Sequence, residues 1–177
     1  GRLGHFERPP AAPLATLLDG ARGPHSHAWL EPRMASLIPP GGPLLRTLLG
    51  HTGRVFAVAV SEDSKRAISA SWDQSLKVWD LDNGHLLRTL FGHAGFIYAV
   101  AVFGDGKRAI SASFDKTLKV WDLDTGELLR TLSGHAAPVF AVAVFADGKR
   151  AISASADSTL KVWHLERGSL LRTLSGH

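Results

Sequence analysis

A 42-residue unit occurs three times in tandem in this 177-residue chain, and nothing else in it constrains the fold as tightly. Gly-His recurs at Gly50-His51, Gly92-His93, Gly134-His135 and Gly176-His177, and Trp79, Trp121 and Trp163 keep the same step. With residues 50–91, 92–133 and 134–175 aligned, 26 of 42 columns are identical in all three copies. Such repeats are single supersecondary units that bury their apolar faces on one another, so the copies must stack. A single irregular domain is excluded.

Each copy reads as four short strands. VFAVAV (55–60) is a continuous apolar run of small and β-branched residues, as in a strand buried on both faces. SEDSKR (61–66), matched by FGDGKR and FADGKR, is polar turn chemistry. AISAS (67–71) and LKVWDL (76–81) follow as two strands around a short turn holding Asp73. Asn83-Gly84, with Gly126 and Gly168 in the same column, marks a tight turn before a fourth strand, HLLRTL (85–90). Helical repeats of similar length need apolar positions at i, i+3, i+4 and i+7 over about 12 residues, and no segment sustains that. The expectation is one four-stranded antiparallel sheet per repeat, arranged radially.

Composition narrows the function classes. A hydrophobic share of 45 % with 20 % charged residues belongs to a globular chain. The absence of cysteine excludes disulfides and thiolate metal sites and fits a reducing compartment, so a cytoplasmic location is expected. No apolar run approaches the roughly 20 residues of a membrane span, and no membrane partner is expected. The first residues, GRLGHFERPP, lack Met and lack the plan of a signal peptide. A net charge of +4 permits weak attraction to anionic partners.

Gly-His, Ser-x-x-x-Asp and Trp-Asp in that order resemble the WD-repeat β-propeller family, over residues 43–177. The near-identical copies are similar to the bacterial type found downstream of an NTPase or other signalling effector. The resemblance implies an all-β fold, a partial WD-repeat propeller of three four-stranded antiparallel blades behind a proline-rich linker. It also implies a hydrogen-bonded tetrad in each blade: His51, Ser69, Asp73 and Trp79, then His93, Ser111, Asp115 and Trp121, then His135, Ser153, Asp157 and Trp163. Ser71, Ser113 and Ser155 are alternatives for the serine, because they point the same way along the strand. Linking these groups satisfies a buried indole N–H and a buried carboxylate together, and ties the outer strands to the loop that begins the innermost one. A catalytic Ser-His-Asp reading is rejected, since three copies at fixed spacing on buried strands are architecture, and no enzyme activity is expected. The pattern breaks at His164, which stands where the other copies have Asp80 and Asp122.

The columns that differ show where the copies are free to diverge. In the family, two such groups lie on the top face, around the channel mouth where partners dock. Carried over by column, the candidate surface is Arg54, Phe56 and Trp72, then Phe96, Tyr98 and Phe114, then Pro138, Phe140 and Ala156. Six of these nine are aromatic, a residue type enriched with Arg at interface hot spots. Phe56, Tyr98 and Phe140 equally fit packing between blades, while Trp72 and Phe114, at a turn, favour binding. The expected role is an interaction or sensing scaffold that regulates an effector, with a protein or peptide partner and no cofactor.

Other signals are weaker. Asp80-x-Asp82 and Asp122-x-Asp124 lack the remaining ligands of a calcium loop, so they read as turns and no metal is expected. Lys65-Arg66, Lys107-Arg108 and Lys149-Arg150, with Lys77, Lys119 and Lys161, would form a basic arc on the face opposite the aromatic one. Nearby Asp63, Asp105 and Asp147 favour ordinary solvated charge over nucleic-acid binding.

Residues 1–42 read as a proline-rich linker, since eight of nine prolines lie in the first 43 residues, with a short helix over 12–21. His25-x-His27 is too small a set for a metal site. PLLRTLLGH (43–51) reads as an extra outer strand. Three blades fall short of the four to eight that close a propeller. The chain is therefore expected to be a fragment of a longer propeller, with self-association of two chains through open blade ends as the rival.

Overall fold

The computed structural model describes residues 44–176, which fall within one compact unit. The linker, the expected helix over 12–21 and the pair His25 and His27 lie outside the described residues. Blade 1 comprises β1 Val55–Val60, β2 Arg66–Ser71, β3 Ser75–Asp80 and β4 Leu86–Phe91. Blade 2 comprises β5 Ile97–Val102, β6 Arg108–Ser113, β7 Thr117–Asp122 and β8 Leu128–Ser133. Blade 3 comprises β9 Val139–Val144, β10 Arg150–Ser155, β11 Thr159–His164 and β12 Ser169–Ser175. Each blade is an antiparallel sheet in sequential strand order, and among the described residues there is no helix.

The blades stack through their faces, as alternation along a strand requires. Ile68, Ala70, Leu76, Val78 and Leu90 of blade 1 pack against Ile97, Val100, Ala109, Trp121 and Leu123 of blade 2. One blade further, Ile110, Ala112, Leu118, Val120 and Leu132 of blade 2 pack against Val139, Ala151, Trp163 and Leu165 of blade 3. Each blade thus has a forward face built on the Ile68 column and a back face built on the Trp79 column. Burying each Ile, Leu or Val contributes about 1.5–3 kcal/mol, so cohesion lies between the blades rather than within one. β5 touches both β1 and β9, which puts the first strand of every blade innermost.

Residues 44–50 depart from expectation: they carry no strand. Arg46 donates from Nη1 to the Leu81 carbonyl at 3.3 Å and lies against Gly84. Arg88 lies against Gly126 and Arg130 against Gly168 in the same way, so the segment sits where the outer strand of a preceding blade belongs. Among the described residues it has no third strand beside it to pair with, and its backbone stays extended but unladdered.

Candidate functional site

The register of each sheet sorts its loops into two ends. Val55 pairs with Ser71 and Val60 with Ala67, so residues 51–54 and 72–74 share one end, here called the top, and residues 61–65 lie at the other. Within every blade, four side chains bridge from this top end into the core. In blade 1 the Trp79 Nε1–H donates to Ser69 Oγ at 2.8 Å, Ser69 Oγ lies 2.7 Å from His51 Nε2, and His51 Nδ1 lies 2.8 Å from Asp73 Oδ2. Blade 2 repeats this with Trp121, Ser111, His93 and Asp115 at 2.9, 2.7 and 2.7 Å. Blade 3 does so with Trp163, Ser153, His135 and Asp157 at 2.8, 2.7 and 2.7 Å. A carboxylate only accepts, so His Nδ1–H donates to it, and Nε2 hydrogen-bonds the serine hydroxyl.

The alternative serines do something else. Ser71 Oγ accepts the Asp73 N–H at 3.1 Å, and Ser113 Oγ donates to the Gly95 carbonyl at 3.2 Å, shaping the turn around the aspartate. A further contributor escapes a reading by motif. Ser75, Thr117 and Thr159 each donate a hydroxyl to the aspartate Oδ1 at 2.6 Å, and the signal was present as a hydroxyl residue two positions after each aspartate. The loop N–H groups of Thr52, Ala94 and Ala136 complete the shell at 3.0 Å.

Burial pushes the Asp73 carboxyl up, but hydrogen bonds from Ser75, His51 and Thr52 outweigh it and hold the group well below the ordinary carboxylate range. Asp115 and Asp157 shift in the same direction, burial again being opposed by the histidine, the threonine hydroxyl and the loop N–H. Ser111 is 0 % exposed and already accepts an indole N–H, so this Ser-His-Asp set offers no nucleophile to solvent.

Above the tetrads, the candidate aromatic residues form one connected chain. Phe140 contacts Tyr98 with ring centroids 5.0 Å apart, Tyr98 contacts Phe56 at 5.3 Å, and Phe56 contacts Trp72 at 6.1 Å. Trp72 meets Phe96 edge-on at 4.7 Å, and Phe96 meets Phe114 at 5.8 Å. The Arg54 guanidinium lies 5.2 Å from the Trp72 ring centre. Two local devices build this ribbon. Residues 56, 98 and 140 each fall on a β-bulge, where the pairing steps from Val55 to Ala57, from Ile97 to Ala99 and from Val139 to Ala141. A bulge frees one side chain from the alternation of the strand and re-aims it. The second device is a backbone hydrogen bond joining the two loop columns: Trp72 N–H to the Arg54 carbonyl at 2.8 Å, Phe114 to Phe96 at 2.8 Å, and Ala156 to Pro138 at 2.9 Å.

Phe56, Trp72, Phe114 and Phe140 remain exposed, and Phe96 and Tyr98 half-buried. In the column read equally as packing or binding, the rings touch across blades and still face solvent. Pro138 and Ala156 occupy the equivalent place in blade 3 but carry no ring, so the ribbon ends there at Phe140.

The basic arc is not what its lysines suggested. Lys77, Lys119 and Lys161 are buried, each donating from Nζ to Thr89, Thr131 or Thr173 at 2.8–2.9 Å, and do not belong to the surface. At the end opposite the ribbon, Arg66 pairs with Asp124, Arg108 with Asp105 and Arg150 with Asp147, each at 2.7 Å. Asp80 spends its carboxylate on its own turn, accepting the N–H groups of Asp82 and Asn83, and among the described residues no cluster of three metal-ligating side chains occurs. In blade 3 His164 takes over that role, its Nδ1 accepting the Arg167 N–H at 3.3 Å.

Comparison with known proteins supports the same architecture. The family model described as "WD domain, G-beta repeat" matches residues 42–80, 84–122 and 126–164. The second and third matches start just before the outer strand of one blade and end after the three inner strands of the next, so there the sequence unit straddles two structural blades. The small ribosomal subunit protein RACK1 of Caenorhabditis elegans is 44 % identical over 45 residues, 25 % of this chain and 14 % of that protein. Autophagy-related protein 16 of Arabidopsis thaliana is 47 % identical over 45 residues, 25 % of this chain and 9 % of that protein. The matched stretch thus spans only a small part of these relatives. The solved "Structure of U3-55K" superposes with a TM-score of 0.72 at 28 % identity, covering 75 % of this chain and 42 % of that one.

Proposed function

Because this chain belongs to the WD domain, G-beta repeat family, whose members generally act as protein-interaction scaffolds, we propose that it binds a protein or peptide partner on the aromatic ribbon of its top face. One observation carries the reading: six aromatic side chains from three blades join into a single path, four of its rings exposed, with Arg54 stacked on Trp72. Rings held by their neighbours lose little freedom on binding, and Trp, Tyr and Arg dominate interface hot spots. The chain works as a non-enzymatic scaffold, and the bound state is passed to an effector module of the same signalling protein in a cytoplasmic setting. The paired arginines and carboxylates of the opposite end favour a protein partner over a nucleic acid.

The test uses peptides selected from a random displayed library on the purified chain. Trp72→Ala and Phe114→Ala should each weaken binding by ~2 kcal/mol or more, roughly 30-fold, with strand circular dichroism unchanged. Unchanged affinity in both variants with an intact fold would overturn the reading.

A further inference from the structure

The top loops of the three blades, residues 51–54 and 72–74 with their counterparts, hold three carboxylates and two cations besides the tetrad histidines. All three carboxylates are occupied. Asp73 Oδ2 accepts the His51 Nδ1–H and the Thr52 N–H, and its Oδ1 accepts the N–H and the hydroxyl of Ser75. Asp115 and Asp157 are filled in the same way, each by four donors of its own blade. An ionised carboxylate offers about four acceptor sites, so none of the three has one left for a ligand.

The two cations stand in the opposite condition. Arg54 and Lys116 are exposed, and among the described residues neither enters an ion pair. At the other end of the blades, Arg66, Arg108 and Arg150 each hold a carboxylate. Neither top cation belongs to the repeat: Phe96 and Pro138 stand in the column of Arg54, and Gln74 and Ser158 in that of Lys116. Both flank one stretch of the ribbon. The Arg54 guanidinium lies 5.2 Å from the Trp72 ring centre, Trp72 leads by 4.7 Å to Phe96, and Phe96 by 5.8 Å to Phe114. Lys116 is on the turn that carries Phe114, its N–H bonded to the Ser113 carbonyl.

We infer that the ligand of the ribbon is an acidic peptide, an extended segment with apolar side chains on Trp72, Phe96 and Phe114 and a carboxylate at each end, one on Arg54 and one on Lys116. A guanidinium stacked on an indole keeps its N–H edge free and meets a carboxylate with two parallel hydrogen bonds, whereas the Lys116 ammonium acts as a point charge. About five residues of extended chain span the path from Arg54 to Phe114, so the two acidic residues lie about four to six apart. Arg54 stands at the first ring of this stretch and Lys116 beside the last. The cations do not converge on one anion, as recognition of a phosphate dianion by clustered arginines requires, and the surface fits separate carboxylates instead. Charges placed in this way fix the register of the bound chain more than its affinity. The acidic ligand presupposes the ribbon as the binding surface, and every residue that recognises it lies on blades 1 and 2.

The probes are peptides selected on the purified chain from a random displayed library, then synthesised and titrated by fluorescence anisotropy. They are expected to carry Asp or Glu at two positions about four to six apart, with apolar residues between. Arg54→Gln should weaken them roughly 10-fold and Lys116→Gln about 2–5-fold, with strand circular dichroism unchanged because both side chains are exposed. Replacing the acidic residues of the peptide by Asn or Gln should remove the difference between Arg54→Gln and the wild type. Selection repeated on a chain carrying Arg54→Glu and Lys116→Glu should enrich Lys and Arg in the peptides instead. Selected peptides without the acidic pair, or affinities that Arg54→Gln and Lys116→Gln leave unchanged while Trp72→Ala still weakens binding, would overturn the acidic ligand and leave the ribbon standing. If Trp72→Ala and Phe114→Ala are without effect as well, the ribbon itself fails as the binding surface, and a library that yields no binder tells against both.

Discussion

Removing one oxygen from the centre of blade 2 should cost more than removing its twin two residues away. Ser111→Ala deletes the Oγ that accepts the Trp121 indole N–H at 2.9 Å and stands 2.7 Å from His93 Nε2. Trp121 is 1 % exposed and the Ser111 site is closed to solvent, so both orphaned groups stay dry. Each buried polar group left without a partner costs about 1–3 kcal/mol, and with partial relaxation the two together come to about 2–4 kcal/mol. Ser113 is equally buried, but its hydroxyl serves backbone groups of one turn, and Ser113→Ala should cost about 1 kcal/mol. The change in volume is the same in both, so cavity terms cancel in the comparison. Urea unfolding followed by circular dichroism, with the two variants compared at a common m value, reads the difference. If Ser113→Ala proves as costly as Ser111→Ala, the tetrad does not couple the strands as described.

The lowered carboxyls make a prediction in acid. A group whose folded pKa is depressed contributes stability above its unfolded value, and that contribution is lost as pH falls toward the folded one. The urea midpoint gap between wild type and Asp115→Asn should therefore be constant above about pH 5 and shrink below about pH 4. A gap that widens in acid would contradict the assignment. In blade 3, His164→Asp should restore the paired turn contacts made by Asp80 and stabilise the chain by about 0.5–1 kcal/mol, measured by the same unfolding curves. A loss of stability would mean that His164 is favoured by something other than its turn.

Much of this architecture was legible because it is written three times. The strands of blade 1 fall within one residue of the runs that the apolar pattern marks, but VFAVAV is not buried on both faces as expected: β1, an innermost strand, is exposed or only partly covered along its length. The tetrad members were legible only through the family resemblance, which put Ser69 in the serine role and left Ser71 as an alternative. Both point to the same face, and only the register, which sets Trp79 opposite Ala67, brings the indole to Ser69. The bulges at residues 56, 98 and 140 left no mark in the composition. They arise from how two strands twist against each other, and they decide where three of the six rings point.

Lys77, Lys119 and Lys161 read as surface charge because lysine on a strand usually is. Here the stem of Lys77 lies along Gly50, and the ammonium donates to Thr89 on the neighbouring outer strand. The expected outer strand at residues 43–51 failed for a plain reason: a ladder needs a partner, and no pattern within the segment itself can supply one.

Hydroxyl-radical footprinting with a selected peptide shows directly whether the aromatic ribbon is the binding surface. Protection is expected at Trp72, Phe96 and Phe114 at the top, with the turns at Lys65, Lys107 and Lys149 labelled as before. Protection at those turns, with the ribbon labelled as in the free chain, would contradict it.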